Sequence, residues 1–131
     1  MPVKISSYQA SQIDFLHSQI QLCKSCSLCN TRTNPVPGIY GRDLLFTYIG
    51  EAPGYDEDQS GLPLTGNVGD FVKEEFRQAG IDISRAYITN VIKCRATEGR
   101  FNRPPTNLEL ASCKEWLDKQ LGVVNCKLIV T

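Results

Sequence analysis

The sequence has no surplus of charge of either sign, because its 14 basic residues are matched by 14 acidic ones. A protein that binds nucleic acid over its whole surface carries a large positive net charge. A net charge of zero therefore argues against binding of that kind and permits only a small basic patch. The densest basic stretch supplies four candidates for phosphate contacts: Lys93, Arg95, Arg100 and Arg103.

Long apolar runs are also lacking. The opening segment, MPVKISSYQASQIDF, is polar and amphipathic, and it does not combine a charged stretch with an apolar one. We therefore expect no signal peptide, no membrane span and a reducing, cytoplasmic location. Histidine is scarce too, since His17 is the only one, and its place in the first predicted helix leads us to expect a surface side chain.

Six cysteines stand out against this background. A chain of 131 residues buries a core without covalent cross-links, so disulfides are not required for folding. In a reducing setting, clustered cysteines indicate metal more often than disulfides. Cys23 and Cys26 form a C-x2-C pair in a loop, Cys94 closes a predicted strand, and Cys113 lies on the apolar face of the last predicted helix.

Thiolates in these places suit zinc or an iron–sulfur cluster, and an all-cysteine set in apolar surroundings favours the cluster. Two other interpretations stay open. Cys29 follows Cys26 at the same interval and gives a set similar to the opening of a ferredoxin run, although the fourth cysteine and proline of that run are absent. Any single cysteine can also be a small buried apolar residue, which is what we expect of Cys126.

Apolar periodicity predicts helices alternating with short strands. The predicted helices cover about residues 7–22, the segment NVGDFVKEEFRQAG and the segment TNLELASCKEWLDKQLG; the predicted strands are DLLFTYIG, AYITNVIKC and KLIVT. In the middle helix, five side chains are expected on one buried face: Val68, Phe71, Val72, Phe76 and Ala79. This alternation is typical of an α/β domain with a mainly parallel sheet, whose functional residues lie at the carboxyl ends of the strands.

Four segments carry a resemblance to a known family. They are CKSCSLCNTR, YIGEAPGYDEDQSGLPLTGNVGD, YITNVIKCR and CKEWLDKQL. In order and nearly in spacing, they resemble the family 4, iron–sulfur type uracil-DNA glycosylases, from about residue 22 onward. The resemblance implies a three-layer αβα fold, hydrolysis of the bond between uracil and deoxyribose in base-excision repair, and uracil-containing DNA as partner. It also implies a [4Fe–4S] cluster held by Cys23, Cys26, Cys94 and Cys113.

The resemblance further implies roles for residues at the predicted strand ends. Asn90 is the side chain expected to hydrogen-bond the edge of uracil, because a carboxamide offers donor and acceptor together. Glu51 and Glu57 are the carboxylates expected to orient water and stabilise an oxocarbenium-like sugar. Ala52 leaves room for the backbone to approach the base. The neighbouring acids Asp56 and Asp58 are expected to be solvated.

Two departures from the family pattern are visible. Leu64 stands where the family usually has an aromatic residue that stacks on uracil, and residues 1–131 contain no His-Pro motif. We therefore expect residues 1–131 to be a single glycosylase-like domain, an N-terminal fragment of a longer one, monomeric and slow in cleavage. Two alternatives remain. One is a non-catalytic, glycosylase-like DNA-binding module of a replication protein, and the other is a small electron-transfer protein, which leaves the GEAPG loop unexplained.

Overall fold

The computed structural model of the protein describes residues 2–131. The strands are β1 (Val3–Lys4), β2 (Ile39–Tyr40), β3 (Asp43–Leu44), β4 (Phe46–Gly50), β5 (Ala86–Asn90), β6 (Thr97–Glu98), β7 (Phe101–Asn102) and β8 (Ile129–Val130). The α-helices are α1 (Ser7–Gln21), α2 (Tyr55–Ser60), α3 (Asn67–Gln78) and α4 (Asn107–Val124). Single 3-10 turns occupy Ser27–Asn30 and Ile83–Arg85.

The central sheet has four strands in the order β2-β5-β4-β8. β4 runs parallel to β5 over its full length, from the pair Phe46 and Ala86 to the pair Gly50 and Asn90, and it is parallel to β8 on its other side. Only β2 is antiparallel, at the edge. The prediction of a mainly parallel sheet is confirmed, and the register brings Gly50 and Asn90 side by side at the carboxyl end.

Helices pack on both faces of this sheet, and the residues of β5 show this because they point alternately to one face and the other. Tyr87 packs with Ile13 of α1 and Val124 of α4 in one apolar cluster. Ile88 belongs to a second cluster with Phe46 and Phe76, where the two phenyl rings stack with centroids 5.3 Å apart. The layers are therefore α1 and α4, the sheet, and α3, which agrees with the expected αβα arrangement.

The expected buried face of α3 is wrong for three of its five residues. Phe76 and Val72 are partly buried, but Val68 is 75% exposed, Phe71 is 65% exposed and Ala79 is exposed. The reason lies in the first turns of the helix, where Gly69 is the buried residue. A Cβ on Gly69 would come within 2.4 Å of the Leu64 backbone, so the loop before α3, and not the sheet, covers this end of the helix.

His17 is also placed differently from the expectation. It is half-buried on α1, and its Nε2 lies 2.7 Å from the Tyr87 hydroxyl, which also accepts a hydrogen bond from Gln120. Burial lowers the pKa of His17 to about 4, so the ring is neutral at pH 7. The rings of Tyr40 and Tyr87 pack around it, so helical spacing alone could not show that this position faces the sheet.

None of the helices within residues 2–131 is both long and apolar enough to cross a membrane.

Candidate active site and cysteine centre

A cleft of about 450 Å³ opens at the carboxyl ends of β4 and β5. The walls include all five residues that the sequence singled out for the active site: Glu51, Ala52, Glu57, Leu64 and Asn90. They arrive from two strand ends and the long loop between β4 and α3. The parallel register is what gathers them, because it brings both strand ends to one edge of the sheet.

Hydrogen bonds hold the backbone of Asn90, whereas its side chain has no hydrogen-bond partner in the described chain. Its carbonyl accepts a hydrogen bond from Lys93 Nζ at 2.5 Å, and no protein group within residues 2–131 hydrogen-bonds its carboxamide. Gly50 provides the space for that carboxamide, because a Cβ there would lie 2.4 Å from Asn90 Oδ1. The carboxamide therefore keeps its donor and its acceptor free for a ligand in the cleft.

The two glutamates of the cleft differ in how firmly they are held. Glu57 lies in the first turn of α2, and its Oε2 accepts a hydrogen bond from Gly54 N at 3.2 Å. Its Oε1 has no protein donor in the part of the chain that the structure describes. Glu51 is exposed at the mouth of the cleft. The Glu57 carboxylate is thus oriented by a backbone N–H, whereas within the described residues no protein hydrogen bond holds that of Glu51.

The side chain of Leu64 forms an aliphatic part of the cleft wall, and the backbone of this residue is strained. Its φ is 55°, in the left-handed region, which costs an L residue about 1–2 kcal/mol. The contact with Gly69 of α3 holds this turn in place. The loop thus presents Leu64 to the cleft from a fixed backbone position.

The four cysteines expected to bind a cluster line one small cavity of about 20 Å³. They are Cys23, Cys26, Cys94 and Cys113. Cys29 is not on its walls, and Cys126 is buried in the cluster around Tyr87, as a core residue. The structure therefore separates Cys29 from the cysteines with which it formed the alternative set.

Hydrogen-bond donors point at two of these sulfurs. Trp116 Nε1 lies 3.2 Å from Cys23 Sγ, and Arg32 Nη1 lies 3.2 Å from Cys94 Sγ. Burial raises the pKa of Cys94 to about 11 despite the nearby guanidinium, and it raises that of Cys113. At Cys23 burial acts the same way, but hydrogen bonds with Ser25 and Trp116, together with the positive charge of Arg32, outweigh it and lower the pKa.

The side chains that the structure describes do not form a site for a single metal ion. Within residues 2–131, no three His, Cys, Asp or Glu side chains come together closely enough to bind one metal ion. In a four-iron cluster each cysteine binds a different iron, so its ligands stand further apart than those of a mononuclear zinc site. Four cysteine sulfurs around one cavity, with N–H groups directed at two of them, are a donor set that can hold a metal centre such as an iron–sulfur cluster.

Two of the four predicted phosphate contacts are wrong. Lys93 is buried, where it donates to Thr89 Oγ1 at 2.8 Å as well as to the Asn90 carbonyl, and burial lowers its pKa to about 7. Arg103 is occupied by Glu109, with two nitrogen–oxygen distances of 2.8 Å. Charge density along the sequence could not distinguish these buried or paired groups from available ones.

Asp58 was expected to be solvated, and this is wrong. It is buried, and its Oδ1 accepts hydrogen bonds from the backbone N–H groups of Thr33 at 2.8 Å and Asn34 at 3.3 Å. The carboxylate therefore ties α2 beside the cleft to the loop that follows the first cysteines. Asp56 is exposed, as expected.

Comparison with known proteins agrees with this geometry. A family model described as the uracil DNA glycosylase superfamily matches residues 37–131. The chain belongs to this superfamily. The resemblance to the family 4 enzymes is confirmed by type-4 uracil-DNA glycosylases of Archaeoglobus fulgidus (37% identity), Thermotoga maritima (36%) and Sulfurisphaera tokodaii (34%).

These alignments cover 90%, 90% and 91% of this glycosylase-superfamily chain, but 58%, 60% and 53% of the respective relatives. The chain therefore spans somewhat more than half the length of the curated relatives it matches. That residues 1–131 are the N-terminal part of a longer domain stays a prediction.

Sequence reasoning missed four residues of this superfamily member that the structure brings to its two centres. Tyr55 and Asn102 line the cleft, and Arg32 and Trp116 line the cysteine cavity. Trp116 had a signal, because it lies three residues after Cys113 on the same helix and so shares its face. Asn102 matches the family pattern in the sequence, but only the fold of the β6–β7 hairpin shows that it lies at the cleft.

Proposed function

We propose that the protein is a uracil-DNA glycosylase that hydrolyses the N-glycosidic bond of uracil in DNA during base-excision repair. The observation that carries the proposal is the cleft of about 450 Å³, which combines the free carboxamide of Asn90 with two carboxylates. Its volume lies within the range of small-molecule sites. A base inside a duplex cannot reach such a cleft, so the target nucleotide has to be flipped out.

In this proposal Asn90 reads the base. Its carboxamide donates to a uracil oxygen and accepts from a uracil N–H, a pairing that cytosine, with an amino group, does not match in the same way. Ala52 and Gly54 leave the backbone accessible along the same wall, and Leu64 supplies apolar contact with a face of the ring. The register of β4 and β5 holds Asn90 beside Gly50 at this wall before any ligand arrives.

Glu57 and Glu51 act on the sugar side. The Glu57 carboxylate, oriented by the Gly54 N–H, accepts a hydrogen bond from the attacking water and directs it at the sugar carbon. Glu51 at the mouth stabilises the positive charge that develops on an oxocarbenium-like sugar. The bond between the sugar carbon and uracil breaks, and the base leaves with the electron pair as an anion. The water oxygen bonds to the sugar carbon and gives its proton to the Glu57 carboxylate, which releases it to solvent, where the uracil anion is protonated.

We further propose that Cys23, Cys26, Cys94 and Cys113 hold a [4Fe–4S] cluster. The lining of one cavity by these four cysteines and the N–H groups that Arg32 and Trp116 direct at two of the sulfurs support this assignment. Such a cluster, when bound, cross-links the cysteine loop, the segment after β5 and α4. Six free thiols are in keeping with a reducing, cytoplasmic location, and we propose that the protein acts there as a monomer.

A second candidate is a glycosylase-like module that binds DNA without cleaving it. The aliphatic Leu64 favours it, because loss of a stacking face weakens base binding by about 1–3 kcal/mol. The two candidates differ in one measurable respect, since only the enzyme leaves abasic sites.

The deciding experiment treats a uracil-containing oligonucleotide with the protein and then with alkali, which breaks the strand at abasic sites. We expect slowly accumulating strand breaks with the unaltered protein, since residues 1–131 are expected to cleave slowly, and none with Asn90→Ala. Asn107→Ala, an exposed asparagine outside the cleft, is the matched control and should cleave normally. Binding of uracil without strand breaks would favour the non-catalytic module, and absence of both binding and breaks would refute the proposal.

A further inference from the structure

An exposed group of arginines and aromatic rings borders the cleft. We call it the arginine–aromatic rim, and it consists of Tyr55, Arg95, Arg100 and Phe101. Tyr55 also lines the cleft, as does Asn102, the neighbour of Phe101 on β7. The rim is therefore continuous with the cleft mouth.

The rim residues nearest the cleft are held in place. Arg95 Nε donates to Asn102 Oδ1 at 2.6 Å, and its Nη2 donates to the Arg100 carbonyl at 3.1 Å. These bonds fix the guanidinium 5.3 Å from the centroid of the Tyr55 ring. Tyr55 is nevertheless 58% exposed, so its ring is open to solvent, and the partly exposed guanidinium of Arg95 lies beside it.

The outer half of the rim is the β6–β7 hairpin. Phe101 is 69% exposed, and the Arg100 guanidinium lies 5.7 Å from its ring centroid. Because successive strand residues point to opposite sides, Asn102 faces Arg95 and Phe101 extends the surface outward. Glu98 is the residue opposite Phe101 in the pairing of β6 and β7. It is also the acidic residue nearest to Phe101 in the sequence.

The charges of the rim are available, unlike those of Lys93 and Arg103. Within residues 2–131, neither Arg95 nor Arg100 pairs with a carboxylate. Guanidinium groups bind phosphate, and exposed aromatic rings stack on unpaired bases. Both features together, at the edge of a cleft sized for a base, fit single-stranded or locally unstacked DNA.

We propose that the arginine–aromatic rim binds the DNA strand beside the nucleotide that enters the cleft. Arg95, backed by Tyr55, holds the phosphate of that nucleotide, Arg100 holds the next phosphate, and the ring of Phe101 stacks on the neighbouring base. The inference rests on the proposed function only in taking DNA as the ligand. It adds a binding surface that does not read uracil.

The test measures fluorescence anisotropy of a short labelled single strand that contains no uracil, titrated with the full chain at several salt concentrations. Phe101→Ala should weaken binding about tenfold at every salt concentration, because stacking is a contact with the base. Arg100→Ala should instead reduce the slope of log affinity against log salt by about 0.7, the contribution of one phosphate contact to a single strand.

Phe15→Ala and Arg42→Ala are the matched controls. Phe15 is an exposed ring on α1, and Arg42 is an exposed arginine before β3, at the amino end of β4 and so opposite the cleft. Neither should change affinity or slope. If Phe101→Ala and Arg100→Ala behave like these controls, the proposal is overturned.

A parallel titration of free uracil separates this proposal from the proposed function. Phe101→Ala should keep the affinity for free uracil, while Asn90→Ala should lose it and still bind the uracil-free strand. A chain that binds no uracil, yet loses strand affinity on Phe101→Ala, would refute the proposed base recognition and support the rim. A chain whose uracil affinity falls with Phe101→Ala would count against a separate surface.

Discussion

The cleft and the cysteine cavity are built in opposite ways, although each is assembled from short motifs far apart in the sequence. The cleft measures about 450 Å³, and its central carboxamide has no protein partner in the described chain. The cavity measures about 20 Å³, and two of its four sulfurs already accept hydrogen bonds. The first arrangement suits a ligand that enters and leaves, and the second suits a resident group.

The largest expected effect comes from removing one thiol of the cavity. Cys113→Ser should reduce bound iron from about four atoms per chain to near zero and unfold the cysteine loop, because cluster binding and local folding are coupled. Iron analysis and the visible absorption of the purified protein measure this. Cys29→Ser is the control and should retain its iron; if it loses iron as well, our ligand set is wrong.

Gly50→Ala should damage the cleft and spare the cavity. The added Cβ would lie 2.4 Å from Asn90 Oδ1 and push the carboxamide out of position. A displacement of about 1 Å at a reacting centre slows catalysis about 10²-fold. Cleavage rate and iron content measured on the same sample give the comparison, with Gly122→Ala as control because a Cβ there meets open space. Normal cleavage by Gly50→Ala would show that Asn90 is mobile.

Leu64→Phe should improve the cleft as a base-binding site. A phenyl ring on this wall can stack on uracil, which adds about 1–3 kcal/mol to the free energy of binding. Calorimetric titration with uracil measures the gain. Leu64→Met keeps an aliphatic side chain and should bind like the unaltered protein. Weaker binding by the phenylalanine variant would mean that the ring fills the cleft itself.

The smallest effect concerns a region remote from both sites. The pKa of His17 is near 4 in the folded protein and 6.5 in a model peptide, so the unfolded chain binds the proton more readily between these values. His17 therefore favours the folded state above about pH 6.5, and this contribution is lost as pH falls toward 4.

The loss should amount to about 1–2 kcal/mol, since water reaches part of the ring. Urea denaturation at pH 7 and pH 4.5 measures it, against His17→Phe, which does not titrate. An equal loss in both proteins would assign the effect to other groups. Iron content at pH 7 should be the same in both proteins. That result would show that the region around His17 does not affect the cysteine centre.

Much of the fold and the site followed from local patterns. The strand that ends at Gly50 was predictable because a short apolar run is followed by Gly, and the parallel sheet followed from the alternation of strands with helices. The second strand was predicted to run on to Cys94, but it ends at Asn90, so Cys94 lies in the segment after the strand. The motif resemblance then supplied residues that the structure places on one cleft. The four cavity cysteines were selected by their positions in a loop, at a strand end and on a helix face.

The errors have a common cause, which is that the hydrogen-bond partners a polar side chain finds in the folded chain, whether near or distant in sequence, decide whether it can be buried. Lys93 is buried because Thr89 and the Asn90 carbonyl receive its ammonium group. Asp58 is buried because the backbone of Thr33 and Asn34 folds against it. Composition marks such residues as polar, and only the folded chain shows where their hydrogen bonds go.

The segment from Asn90 to Cys94 joins the two sites through five consecutive residues. Asn90 borders the cleft, Cys94 borders the cysteine cavity, and the buried Lys93 binds back to the Asn90 carbonyl. Four residue steps span at most about 14 Å, so the segment has little slack. With so little slack, a displacement of the backbone at Cys94 would be transmitted to the backbone of Asn90, so the geometries of the cleft and the cavity are mechanically linked.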